Sequence, residues 1–164
     1  MDYLKIIEER GFLVTRRNKH KELSDNILDR YKKIPTGYLD FLNQFEVIIN
    51  NDDDVWFVSI EDFNEETETD FPWNAFELMS LEAFEEDKEE SERIRDFWDN
   101  HIPILMSVRE YEYLAICLVE DKFGEIVHGI EPEFEEVSKI CNNFEELMDL
   151  MKDPSKNQLL VNFI

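Results

Sequence analysis

Three histidines, two cysteines and forty acidic side chains are the groups in this 164-residue chain that could do chemistry. His20, His101 and His128 lie far apart, and no C-x-x-C or H-E-x-x-H spacing gathers metal ligands on one element. Asn51-Asp52-Asp53-Asp54 opens like a calcium loop, but the expected glycine and closing glutamate do not follow in register. The segment reads instead as a solvated hairpin turn. Four scattered glycines form neither G-x-G-x-x-G nor a Walker-type phosphate cradle.

Nucleophilic catalysis meets a similar obstacle. Cys117 and His128 fall on runs expected to pair as strands, yet a reactive thiol needs a neighbouring cation or helix N-terminus and some exposure. Cys117 lies among Ala115, Ile116 and Leu118, where it reads as a small buried hydrophobe. Carboxylate pairs abound by composition alone, and none is marked by an apolar pocket that would raise its pKa. The expectation is a protein that is not an enzyme, with no catalytic residue, cofactor or metal.

Charge is the strongest global feature. The net value is −23, and it is unevenly spread. Residues 1–33 carry nine Lys/Arg against six Asp/Glu, whereas the rest carry eight against thirty-four. Such a field repels nucleic acid and anionic membrane and speeds encounter with a basic partner, although it also serves plain solubility. The basic run Arg16-Arg17-Asn18-Lys19-His20-Lys21 has no interleaved aromatics for base stacking. It reads as a solvated loop that can pair with the protein's own acidic surface.

The elements that must position these groups follow from periodicity. Helices are expected near residues 3–10, 24–32, 34–42, 60–63, 75–87, 89–100, 134–140 and 143–152, where apolar residues recur every three or four positions. Gly11 ends the first, Ser24 or Asp25 caps the second, Pro35 suits the first turn of the third, and Asn142 or Asn143 caps the last. Strands are expected at 46–50, 55–59, 102–108, 112–119 and 125–130, which are rich in β-branched and aromatic residues. The run 112–119 is apolar on both faces, the mark of a central strand covered on each side.

Grouped strands, with no internal repeat, give α+β: one domain over 1–164 with a mostly antiparallel sheet of about four to six strands packed with helices. Trp56 and Trp98 have apolar neighbours and suit the core, while Trp73 fits core and interface equally. The N-terminus shows no signal-peptide pattern, and no stretch approaches a membrane span. With two cysteines and no disulfide framework, a cytoplasmic location is expected.

Ile34-Pro35-x-x-Tyr38-Leu39-x-Phe41-Leu42, Ile102-Pro103-Ile104, Tyr113-Leu114-Ala115-Ile116, Gly124-Glu125-Ile126-Val127-His128 and Asn143-Phe144-Glu145-Glu146-Leu147-Met148 occur in that order. In order and spacing they resemble segments of the SUKH superfamily over roughly residues 24–152. The chain departs from the family pattern at Asn43-Gln44-Phe45-Glu46 and Arg109-Glu110-Tyr111-Glu112, where members often carry glycine turns. The resemblance implies an α+β fold and no catalytic residues. It also implies protein binding, since many bacterial members are immunity proteins encoded beside polymorphic toxins and fungal relatives act through protein contacts.

Joined to the charge asymmetry, this yields an expected immunity-type binder of a cognate protein toxin, such as a basic nuclease domain, with no nucleic acid or membrane partner. The expected contacts are Asp52, Asp53, Asp54, Glu65, Glu66, Glu68, Asp70, Trp73 and Tyr111, chosen for loop exposure and charge. A regulatory or scaffold module with an endogenous partner is the alternative, and a hydrolase the more remote one.

Overall fold

The computed structural model describes residues 1–164 as a seven-stranded sheet with helices on both faces. The strands are β1 (Phe12–Arg16), β2 (Phe45–Asn50), β3 (Val55–Phe57), β4 (His101–Ser107), β5 (Glu112–Cys117), β6 (Ile126–Ile130) and β7 (Ser138–Cys141). They lie side by side in chain order and every neighbouring pair is antiparallel. The α+β architecture is as the sequence implies, with more strands than the expected four to six. No helix is long and apolar enough to cross a membrane.

The helices are α1 (Tyr3–Glu9), α2 (Asp25–Arg30), α3 (Thr36–Leu42), α4 (Ile60–Phe63), α5 (Ala75–Ala83), α6 (Lys88–Asp99), α7 (Phe144–Lys152) and α8 (Gln158–Phe163). Local chemistry sets several boundaries. Asp2, Asp87 and Asn143 each accept a backbone N–H in the first turn of the helix that follows. Ser59 and Asp62 close a reciprocal capping box at α4. Pro103, which lacks a ladder donor, sits where the β4–β5 register shifts.

Two stretches depart from the sequence expectation. Residues 134–140 are not a helix: Phe134, Val137 and Ile140 mimic helical spacing, but Ser138–Cys141 pairs with β6 as the last strand. Phe12–Arg16 forms the opposite edge, pairing with β2 from Phe12 opposite Asn50 to Arg16 opposite Phe45.

Register assigns the faces. One face carries Phe57, Leu105, Leu114 and His128 in a row, under α1, α3, α7 and α8. There Phe41 packs on Phe57 at 5.3 Å and on Phe144 at 4.9 Å between ring centroids, and Phe163 meets His128 at 6.0 Å. The other face carries Leu13, Ile49, Trp56, Met106, Tyr113 and Gly129 in a row. Over β5 it is closed by α5 and α6, with Phe76 and Trp98 against Tyr113 at 5.4 and 4.9 Å. All of Glu112–Cys117 is therefore buried, as a strand covered on both sides should be.

Candidate functional site: an uncovered sheet face with an acidic rim

Along that second row the cover runs out. Met106 and Tyr113 are fully buried, Ile49 and Trp56 are partly exposed, and Leu13 on the edge strand is 58% exposed. Helices α5 and α6 stop over β4–β6, so the same face of β1–β3 presents Leu13, Val47, Ile49 and Trp56 to solvent. A mixed sheet face of this kind, apolar at its centre and ringed by charge, is how protein interfaces are built.

The rim comes from three connections. The β2–β3 turn contributes Asp52, Asp53 and Asp54. The segment after α4 contributes Glu65, Glu66, Glu68 and Asp70. The β4–β5 turn contributes Tyr111. Phe71 links them: its ring stands at 89° to Trp56 with centroids 5.8 Å apart, and lies 6.1 Å from Tyr111. Two adjoining hollows of about 310 Å³ each share Ile49, Trp56 and Asp62. Another groove, about 340 Å³ between residues 20–23 and α3, mixes Lys21 with Glu22 and Asp40 and has no single sign of charge.

Backbone geometry singles out the same loops. Asp53, Glu65 and Tyr111 are the non-glycine residues with positive φ, at 58°, 57° and 50°. Aspartate tolerates the left-handed region; glutamate and tyrosine adopt it at a cost of order 1 kcal/mol, retained only where surroundings enforce it. Asn50 enforces it in the hairpin. Its Oδ1 accepts the backbone N–H groups of Asp54 and Val55 at 3.0 Å, and its Nδ2 donates to Asp54 Oδ1 at 2.6 Å. Arg109 completes the anchor, with Nε 3.1 Å from Asp54 Oδ1. Asp54 is thus committed internally.

The acidic segment is held from the opposite side by the basic run. Arg17, its side chain only 3% exposed, donates through both terminal nitrogens to the two Glu61 oxygens at 2.8 Å. Lys21 adds an ion pair to Glu61 at 3.3 Å and another to Glu66. The Arg17 hydrogen bond, with lesser help from Lys21, draws the Glu61 carboxyl down to about 2. Because the folded-state pKa is depressed, this stabilisation is complete above about 4.5 and is lost as pH falls toward 2. Glu61→Gln should destabilise the protein by about 2 kcal/mol at neutral pH, since the buried guanidinium loses its counter-charge. In urea melts at a series of pH values, the gap between variant and wild type should close across that acid window. A gap independent of pH would refute this.

Of the nine expected contacts, Asp52, Asp53, Glu65, Glu66, Glu68, Asp70 and Tyr111 lie exposed on the rim, and Asp54 is half-buried there. Trp73 departs from the set. It is 6% exposed and packs against Tyr31 and Phe63, with the Arg30 guanidinium 5.8 Å from its ring. Arg30 is fixed in turn by two hydrogen bonds to Glu77 at 2.8 and 3.0 Å. Trp73→Phe should therefore cost about 1–2 kcal/mol of stability and leave the affinity of the folded protein for its partner unchanged. A weakened complex at unchanged stability would return Trp73 to the interface. Sequence reasoning did not include Phe71, Ile49 or Trp56 in the site, because the cross-strand register is what puts Ile49 beside Trp56 on an open face and a loop contact is what brings Phe71 to it.

The groups with catalytic potential do not converge. Cys117 lies on the Tyr113 face of β5, whereas His128 pairs with Leu114 on the opposite face. His128 Nε2 contacts Glu112 Oε2 at 2.7 Å, both residues being buried. Burial raises the Cys117 thiol pKa and pushes that of Cys141 up to about 12. No three His, Cys, Asp or Glu side chains are grouped so as to hold a metal ion. No protein-family model matches the chain, and no curated protein matches it.

Proposed function

We propose that this protein is a non-catalytic, cytoplasmic binding module of the immunity type, which neutralises a cognate protein toxin by direct contact through the uncovered face of β1–β3. The observation that carries the reading is the position of the rim. Three connections far apart in sequence bring unpaired carboxylates and Tyr111 around one apolar floor of Ile49, Trp56 and Phe71. An apolar centre supplies the holding energy, and a predominantly acidic rim, whose one arginine is tied to Asp54, supplies fast, selective encounter with a basic surface. Nuclease toxins are the natural class of partner, because a domain that binds phosphate is itself basic. The ordered resemblance to SUKH segments and the α+β fold support the same reading.

Co-expression tests it. The C-terminal toxin domain of a large gene adjacent to this one would be produced with and without the protein, and survival and co-purification measured. Rescue together with a one-to-one complex is expected. Toxicity without rescue or binding would overturn the immunity reading.

A further inference from the structure

The hollow between the β2–β3 turn and the acidic segment has walls of a particular chemistry. Trp56 and Phe71 stand nearly perpendicular, Asp53 and Asp62 line the same space, and Thr69, Ile49 and Val108 complete it. No lysine or arginine of the chain forms an ion pair with Asp53 or Asp62. One Asp62 oxygen accepts from Ser59 and the other from Thr67, so the carboxylate is fixed in place without a cationic partner. We propose that this hollow is an arginine slot: the basic partner seats one guanidinium in the corner that the touching Trp56 and Phe71 rings form, with Asp53 and Asp62 as its counter-charges. The inference rests on the binding function proposed above and names the anchor that the surface selects.

Charge complementarity fixes the sign of the occupant, and the ring geometry fixes its shape. A planar, weakly hydrated guanidinium can lie over one ring and against the edge of the other while its N–H groups reach carboxylates. A compact ammonium keeps its water more tightly and has no flat face to stack. At about 310 Å³ the hollow is of a size to take one long side chain rather than a whole element. The protein already uses this chemistry internally. Arg30 lies 5.3 Å from the Tyr31 ring and 5.8 Å from Trp73, with both terminal nitrogens donating to Glu77.

The test compares two blocked peptides of equal charge, acetyl-(Gly-Arg)₃-amide and acetyl-(Gly-Lys)₃-amide, titrated into the ¹⁵N-labelled full chain at low ionic strength. The arginine peptide should bind about fivefold tighter and move the Trp56 indole N–H resonance, which the lysine peptide leaves nearly still. Asp53→Asn, an exposed change that tolerates the same backbone, should weaken the arginine peptide. Trp56→Leu should abolish the preference between the peptides. Equal affinities, or an arginine peptide that shifts only rim resonances and not Trp56, would overturn the slot. Loss of the arginine preference while the toxin complex still forms refutes the slot alone. Failure of the co-expressed complex refutes the immunity function whatever the peptides do.

Discussion

Replacing Asp52, Glu65, Glu68 and Asp70 together with lysine is expected to slow association with the cognate partner by about a hundredfold at low ionic strength. All four are exposed and none takes part in an ion pair of the fold, so each presents its full charge to an approaching molecule. Each replacement changes the charge by two, taking the net value from −23 to −15. The remaining surface stays acidic, so a loss of this size reports the rim rather than overall charge. Raising salt should bring the two rates together, because screening shortens the reach of exposed charges to a few ångströms near 1 M. The melting temperature should barely move, since exposed unpaired carboxylates contribute little to stability. Stopped-flow association across a salt series checks all three statements. An unchanged rate at low salt would reject these loops as the steering surface.

The second large effect is structural. Gly129 lies on β6 directly opposite Tyr113, and a Cβ there would overlap the Tyr113 ring. That ring has nowhere to go. It is fully buried between Phe76 and Trp98, and its hydroxyl donates to the Phe134 carbonyl. Gly129→Ala should therefore destabilise the protein by about 3 kcal/mol and lower its melting temperature by roughly 10 °C. Tyr113→Leu placed in the Gly129→Ala background should recover part of the loss, giving a favourable coupling in a double-mutant cycle. Additive losses would mean that the ring is not what excludes the methyl group.

The placement of Gly129 beneath an aromatic ring illustrates what sequence alone conveys here. The strands β2 to β6 are legible as the runs 46–50, 55–59, 102–108, 112–119 and 125–130, because β-branched and aromatic runs separated by short polar turns have few other readings. The cap Asn143 acts through a local hydrogen bond and leaves a local signature. By contrast, the stretch that leads into β7 carries its apolar residues at Phe134, Val137 and Ile140, a helix-like spacing, and its end is made a strand only by the free edge of β6. The short helix α8 buries Leu160 and Phe163 against a sheet distant in sequence, so its six residues carry little signal of their own.

The site divides along the same line. The acidity and exposure of its loops could be read directly, since Asp52, Asp53, Glu65, Glu66, Glu68 and Asp70 fall in turns without apolar periodicity. That those loops ring one sheet face could not. It follows from Leu13 aligning with Ile49 and Ile49 with Trp56, and from α5 and α6 ending over β4–β6. Trp73 is the reverse case. Its loop-like context between Pro72 and Asn74 conceals a clamp with Arg30, forty-three positions away in the chain. The basic run is likewise explained by distant partners, because Arg17 and Lys21 reach Glu61 and Glu66 rather than solvent.

Amide hydrogen exchange of the protein alone and in complex with the co-expressed toxin domain tests the use of this face most directly. Protection should appear over residues 46–57, 62–71 and 108–111, the three connections and the floor between them, and leave α1, α7 and α8 unchanged. Protection concentrated on α1, α7 and α8, with the rim and its floor unaffected, would contradict the docking surface assigned here.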